Sequence, residues 1–126
     1  MVGNKKMKFE EIKKMLELAD DAVMKLEVVM DIGRQLPPVP SDAVCTEITG
    51  CSSFVQICRR GNNFYGTADS AIVRGIVAIM ISIVDGRTPD EIRQMDLEKM
   101  FSDLKIQVGA ARLNGVNSMI RFFKNL

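Results

Sequence analysis

The residues of this chain best suited to chemistry at neutral pH are its three cysteines, Cys45, Cys51 and Cys58, because it contains no histidine. Without imidazole there is no Ser–His or Cys–His nucleophile pair, no imidazole general base and no histidine metal ligand. Cysteine, carboxylates or a bound group must do the work. Cys51 follows Gly50 at the end of a long loop, just before a predicted strand. Glycine permits a tight turn there and lets a partner come close. A thiolate in such a place is a nucleophile that accepts sulfur by exchange, and a helix terminus or a cation would stabilise the anion. The plainer reading is a small hydrophobe at a strand entrance.

Cys58 falls inside the predicted strand, where a packed structural cysteine is the simplest reading. Cys45 lies on the loop before Cys51 and is either incidental or able to pair with Cys51 under oxidation. The spacing C-x5-C-x6-C has no close cysteine pair, so zinc or an iron–sulfur cluster would need Asp69 or another carboxylate as fourth ligand. No metal is expected in the purified chain. Asp69 is read as a helix cap, and Arg74 as a solvated or partner-facing side chain. Arg112 stands in the first turn of the last helix, where a cation is slightly unfavourable. A nearby sulfur anion would give it a reason to be there.

These residues have to be positioned by a chain of 126 residues, the size of one domain spanning 1–126. Hydrophobic residues are 47% and charged residues 26%, an ordinary globular balance. Lys plus Arg (17) nearly equals Asp plus Glu (16), so no broad basic field exists for nucleic acid or anionic lipid. Met1–Lys8 is polar and lysine-rich with no apolar run behind it, which reads as no signal peptide, and hence free thiols in a reducing cytoplasm. The apolar segment Ala71–Val84 is shorter than the ~20 residues of a membrane span and reads as a buried helix.

Apolar spacing predicts a first helix carrying Phe9, Ile12, Met15, Leu16 and Ala19 on one face. A second runs from about Asp21 and stops near Gly33, ahead of Pro37, Pro38 and Pro40. Residues 36–50 read as a loop. Two strands, Ser53–Arg60 and Asn63–Thr67, flank the turn pair Gly61–Asn62. The central helix starts after Asp69 and ends at Gly86, and Thr88-Pro89-Asp90-Glu91 is a capping box for a short helix. A small helix from Asp96 to about Leu104 and a last one over Ala110–Lys124 complete the chain. Helices on both sides of a small antiparallel sheet make an α+β fold.

Several blocks of this sequence resemble the SufE family. They are Gly33-Arg34-Gln35-Leu36-Pro37-Pro38-x-Pro40, then Ile48-x-Gly50-Cys51-x-Ser53-x-Val55. Gly66-x-Ala68-Asp69-Ser70-Ala71-Ile72-Val73-Arg74-Gly75-Ile76 follows, then Asp85-Gly86-Arg87-Thr88-Pro89-x-Glu91-Ile92, and finally Arg112-x-Asn114-Gly115. The blocks keep the family's order from about residue 9 to residue 123. The resemblance implies a compact α+β fold shared with IscU-type scaffolds. It further implies a partner, a pyridoxal-phosphate cysteine desulfurase of the SufS type, whose persulfide is attacked by Cys51. The sulfur would pass to an iron–sulfur assembly scaffold, with Asp69 and Arg112 organising the cysteine loop.

Departures are visible. Ser52-Ser53-Phe54-Val55-Gln56 replaces the family's Gln-Ser-Gln-Val-Trp, so the tryptophan is lost. Val108-Gly109-Ala110-Ala111 replaces a Thr-Pro helix start. The loop before Cys51 is also a few residues short. The function expected is that of a non-enzymatic sulfur carrier in the cytoplasm, with no cofactor of its own. A metal- or cluster-binding scaffold and a desulfurase regulator that transfers no sulfur are the alternatives. Whether the chain forms a homodimer is left open.

Overall fold

The computed structural model describes residues 6–126, and most of the lysine-rich start read above (residues 1–5) lies outside the described residues. The order of elements is α1 (Phe9–Glu17), α2 (Ala22–Arg34), β1 (Val44–Glu47), β2 (Val55–Arg60), β3 (Asn63–Ala68), α3 (Ala71–Val84), α4 (Pro89–Arg93), α5 (Leu97–Ser102) and α6 (Ala110–Lys124). The predicted α+β class holds. The strand β1 was not foreseen. It lies in the stretch read as loop and makes the sheet three-stranded, in the order β1-β2-β3.

The sheet is antiparallel throughout, with Cys45 opposite Cys58 in one ladder and Ile57 opposite Gly66 in the other. Alternation along the strands buries Val55 and Ile57 of β2 with Phe64 and Ala68 of β3. The expected flanking of the sheet on both sides is corrected in space, because α3 and α6 meet it on this same buried face. A side chain at Gly66 would strike Val77 and Ile81 of α3, and Phe123 of α6 meets Phe64 edge-on at 5.4 Å. The β2–β3 turn closes as read, with Gly61 taking a positive φ of 62°.

The α3 helix is buried all round from Gly75 to Ile81, as its unbroken apolar sequence requires. Its cap is Ser70, whose side chain accepts from the Val73 N–H, and not Asp69 as the sequence suggested. A serine hydroxyl one residue nearer the helix reaches the free amide that the aspartate was expected to serve. On the side away from the sheet α3 lies against α2 at unusually short range. A Cβ on Gly75 would fall on the Val29 carbonyl, and one on Gly33 would sit 2.7 Å from the Gly75 nitrogen. Gly33 is therefore a contact inside α2, and the helix ends beside it at Arg34, with Gln35 as its cap, ahead of the prolines as read.

The remaining helices follow their caps. Thr88 and Glu91 exchange the two hydrogen bonds of a capping box, with Pro89 at the first helical position. Asp96 caps α5 through the Lys99 N–H. Lys124, near the end of α6, donates to the carbonyls of Ile92 and Arg93 at 3.1 Å and so closes the end of α4. The tightest demand in this packing is at Gly75. Gly75→Ala should destabilise the chain by about 2–3 kcal/mol, the usual cost of overpacking against backbone that has no room to give. A melting temperature lower than wild type by roughly 5–10 °C in a calorimetric scan is the outcome expected.

Candidate functional site

Cys51 lies in the loop that joins β1 to β2. The loop is anchored at its entrance, where the Ile48 N–H donates to the Val55 carbonyl at 2.9 Å and the Ile48 side chain is buried. Its exit is held by the Asp69 N–H, which donates to the Phe54 carbonyl at 3.2 Å. Asp69 thus meets the cysteine loop through its backbone, while its side chain is exposed. Between these ties Gly50 adopts a φ of 86°, a conformation that side chains rarely take. A Cβ there would also come within 2.6 Å of the Ser118 hydroxyl of α6. Gly50 is fixed on both counts.

The turn at Gly50 lays Cys51 against α6. The point of contact is Gly115, where a Cβ would be only 3.2 Å from the Cys51 sulfur. Val73 and Ile76 of α3 and Met119 of α6 complete an apolar wall, with Ala111 and Arg112 at the rim. The free space left beside the thiol is a cavity of about 10 Å³, the least that one water requires. Cys51 is accordingly half-buried. Burial raises its pKa above the ordinary thiol value, because the apolar wall penalises the thiolate. Withdrawn in this seat, Cys51 at neutral pH is mostly an unreactive thiol.

Arg112 and Arg74 stand near this loop in different ways. Arg112 lines the Cys51 cavity, and its Nη1 donates to the Val108 carbonyl at 3.1 Å, one turn back at the entrance to α6. Arg74 does not face solvent as a free cation. Its Nε and Nη2 donate to the Ala68 carbonyl at 3.3 and 3.1 Å, which ties the end of β3 to α3. Gly115 and Ser118 form the floor under the loop, and chemistry-bearing residue types do not point to Ser118. The signal for both was two small residues, three apart, among the larger Val116, Met119 and Ile120 of one helix.

The other two cysteines are placed differently from their sequence reading. Cys45 bonds to Cys58 across the β1–β2 ladder, not to Cys51, and the pair is not two free thiols. The register puts them directly opposite one another, which the length of sequence between them conceals. Cys51 is the one free cysteine. Among the described residues no group of three potential metal ligands is assembled. A cavity of about 530 Å³ opens between the start of α1, the end of α2 and α3, and it shares no lining residue with the Cys51 seat. The cavity that Cys51 itself lines is the small one of about 10 Å³.

The seat makes Cys51 reactivity depend on both pH and Gly115. The raised pKa means the thiolate fraction stays low at neutral pH and grows only above the range of an ordinary thiol. The rate of Cys51 alkylation by iodoacetamide should therefore rise with pH later than that of a cysteine in an unfolded peptide. Filling the seat with Gly115→Ala should displace the sulfur outward, speed alkylation at neutral pH by about three- to tenfold and move the profile back toward the ordinary thiol. Peptide mapping of the labelled cysteine checks both.

Comparison with known proteins accords with this geometry. A family model described as "SufE: Fe-S metabolism associated domain" matches residues 10–126. The sulfur acceptor protein CsdE of Escherichia coli is 30% identical over 104 residues, covering 75% of this chain and 71% of that one. A SufE-like protein of Rhizobium meliloti is 31% identical over 109 residues, covering 77% and 78%. Another from Haemophilus influenzae is 31% identical over 112 residues, covering 81% and 88%. A solution structure of a hypothetical protein from Thermus thermophilus shares the fold, with a TM-score of 0.60 at 16% identity over 94% of each chain. The match over nearly the whole sequence places this chain in the SufE family of Fe-S metabolism associated domains.

Proposed function

We propose that this chain is a sulfur acceptor that takes a persulfide sulfur from a cysteine desulfurase onto Cys51 and hands it on for iron–sulfur cluster assembly. The observation that carries the reading is the one free cysteine, set in a glycine-built loop turn and withdrawn onto α6. Family membership and the likeness to a sulfur acceptor protein support it. The Cys51 thiolate attacks the outer sulfur of the partner's cysteine persulfide. The partner's sulfur–sulfur bond breaks, a new one forms on Cys51, and the partner's cysteine leaves as thiolate. No electrons are gained or lost overall. The chain acts as an accessory carrier rather than an enzyme, and pyridoxal phosphate belongs to a desulfurase of the SufS type.

The seat supports this role physically. A thiol held neutral against apolar side chains resists oxidation and stray alkylation until the loop moves. The cavity that Cys51 lines, about 10 Å³, is compatible with a donor sulfur that arrives on a protein. A reducing cytoplasm is the proposed place of action. Arg112 is assigned to steady the anionic sulfur once it is loaded. Its charge survives partial burial, and the Val108 carbonyl holds the guanidinium at the rim.

Incubation with a desulfurase, pyridoxal phosphate and cysteine should add about 32 Da, one sulfur atom, to the intact chain by thiol–persulfide exchange. Cys51→Ser should abolish the gain while the fold stays intact, and Cys45→Ser should keep it. Undiminished sulfur uptake by the Cys51→Ser chain would sink the proposal.

Arg112 is tested by a separate pair of variants. Arg112→Lys keeps the charge and Arg112→Met keeps much of the stem. Single-turnover transfer should slow more in the methionine variant, by about tenfold, than in the lysine variant. Equal rates would leave Arg112 as packing alone.

A further inference from the structure

Cys45 and Cys58 take no part in the seat of Cys51, yet the fold forces them together. They are paired residues in the β1–β2 register, with Cα atoms 3.9 Å apart and their sulfurs joined. The ladder explains the closeness. Ile48 and Val55 form a hydrogen-bonded pair, and counting back along the register makes Cys45 and Cys58 a non-hydrogen-bonded one. Such pairs bring opposing side chains nearest. The two differ in access, since Cys58 is fully buried and Cys45 is exposed. The bond closes a ring of chain with Cys51 near its middle. All four residues of β1 are exposed, so within the strand itself the ladder and that covalent link are its ties to the sheet, flanked by the Asp42–Arg60 ion pair and the buried Ile48.

We propose that Cys45 and Cys58 are a reversible thiol–disulfide exchange site for low-molecular-weight disulfides, and that closing it restrains the hairpin loop carrying Cys51. In the closing step the Cys45 thiolate attacks a small disulfide such as oxidised glutathione and releases one small thiol. Cys58 then loses its proton, attacks the Cys45 sulfur of the mixed disulfide, and releases the second. Two protein thiols are oxidised by two electrons and one small disulfide is reduced to two thiols. Exposed Cys45 is the sulfur that reagents reach, and buried Cys58 resolves it. In a reducing cytoplasm a disulfide of this kind is a transient, redox-sensing bond rather than a permanent staple. Opened, it leaves a four-residue edge strand held by its backbone ladder, with the buried Ile48 after it and the Asp42–Arg60 ion pair before it, and short edge elements open more readily than the core.

The consequence for sulfur uptake rests on the proposed role of Cys51, but the exchange site and its grip on the loop do not. A Cys51→Ser chain is equilibrated across glutathione mixtures of increasing oxidised share, quenched and alkylated. Two alkylatable thiols should disappear together and return on reduction, with a mass change of about 2 Da for the bond itself. Next, the oxidised full chain, taken as the species with one free thiol and no glutathione adduct, is compared with Cys45→Ser and with the reduced chain. Iodoacetamide should label Cys51 at least about threefold more slowly in the oxidised form, because loop opening has become costlier. Thiols that stay free at every ratio, a bond that never reopens, or equal Cys51 labelling in all three forms would overturn the proposal. No desulfurase enters this experiment, so failed sulfur transfer would count against the proposed function alone.

Discussion

The close approach of α2 and α3 is the constraint on which the rest of this structure depends. The α3 helix meets the sheet, α1, α2 and α6 in turn. It is apolar all round and can be buried only if something comes near on every side. The sheet supplies one side through the gap at Gly66, where Val77 and Ile81 enter, and α2 supplies the other by resting backbone against backbone at Gly33 and Gly75. Helices usually pack with axes about 8–10 Å apart, and glycine at the crossing allows the near end of that range. With α3 so fixed, Val73 and Ile76 are held as one wall of the Cys51 seat, and α6 closes it from the other side.

That seat is assembled from absences as much as from side chains. Gly50 turns the loop and leaves room for Ser118, and Gly115 leaves room for the Cys51 sulfur. Each missing Cβ brings the loop nearer to α6, and the nearer it comes the more the thiol is desolvated. Burial raises the pKa of Cys51, and the close approach that these glycines allow is part of that burial. Ser118 has its own polar needs met within the helix region, since it donates to the Asn114 carbonyl and accepts from Arg121. The floor under the loop is thus polar at Gly50 and apolar at Cys51.

Much of this was legible in the sequence, and the exceptions have common causes. The α6 helix, the Thr88 capping box and the β2–β3 turn were read correctly because local chemistry decides each of them. The strand β1 was missed because Val44–Glu47 is short, follows three prolines and has every side chain exposed, so no alternating apolar pattern marks it. Its partner was equally hidden, since register is a non-local property, and the pairing of Cys45 with Cys58 went with it. The end of α2 near Gly33 is legible from Pro37, Pro38 and Pro40, whereas the contact Gly33 makes with α3 is not, because it depends on where α3 docks. Asp69 lost the capping role to its neighbour Ser70 by one residue of helix phase. Cys51 was visible as a candidate nucleophile, whereas its seat on Gly115 and Ser118 depends on where α6 docks.

The size and charge of the seat together bear on how the proposed sulfur carrier would cycle. A cavity of about 10 Å³ accommodates the bare thiol with room for little more than one water. A second sulfur on Cys51 needs more space than that. It also brings charge, since a persulfide is more acidic than a thiol and is anionic at neutral pH. The wall of Val73, Ile76 and Met119 offers an anion nothing, and the same desolvation that keeps the thiol protonated acts against it. The loaded sulfur would then be expelled toward the rim, where Arg112 stands on the Val108 carbonyl. Empty and loaded states of the loop would differ in position without any external signal, because the seat tolerates one species and rejects the other. In the proposed cycle, withdrawal would protect the waiting thiol, and loading itself would present the sulfur for delivery.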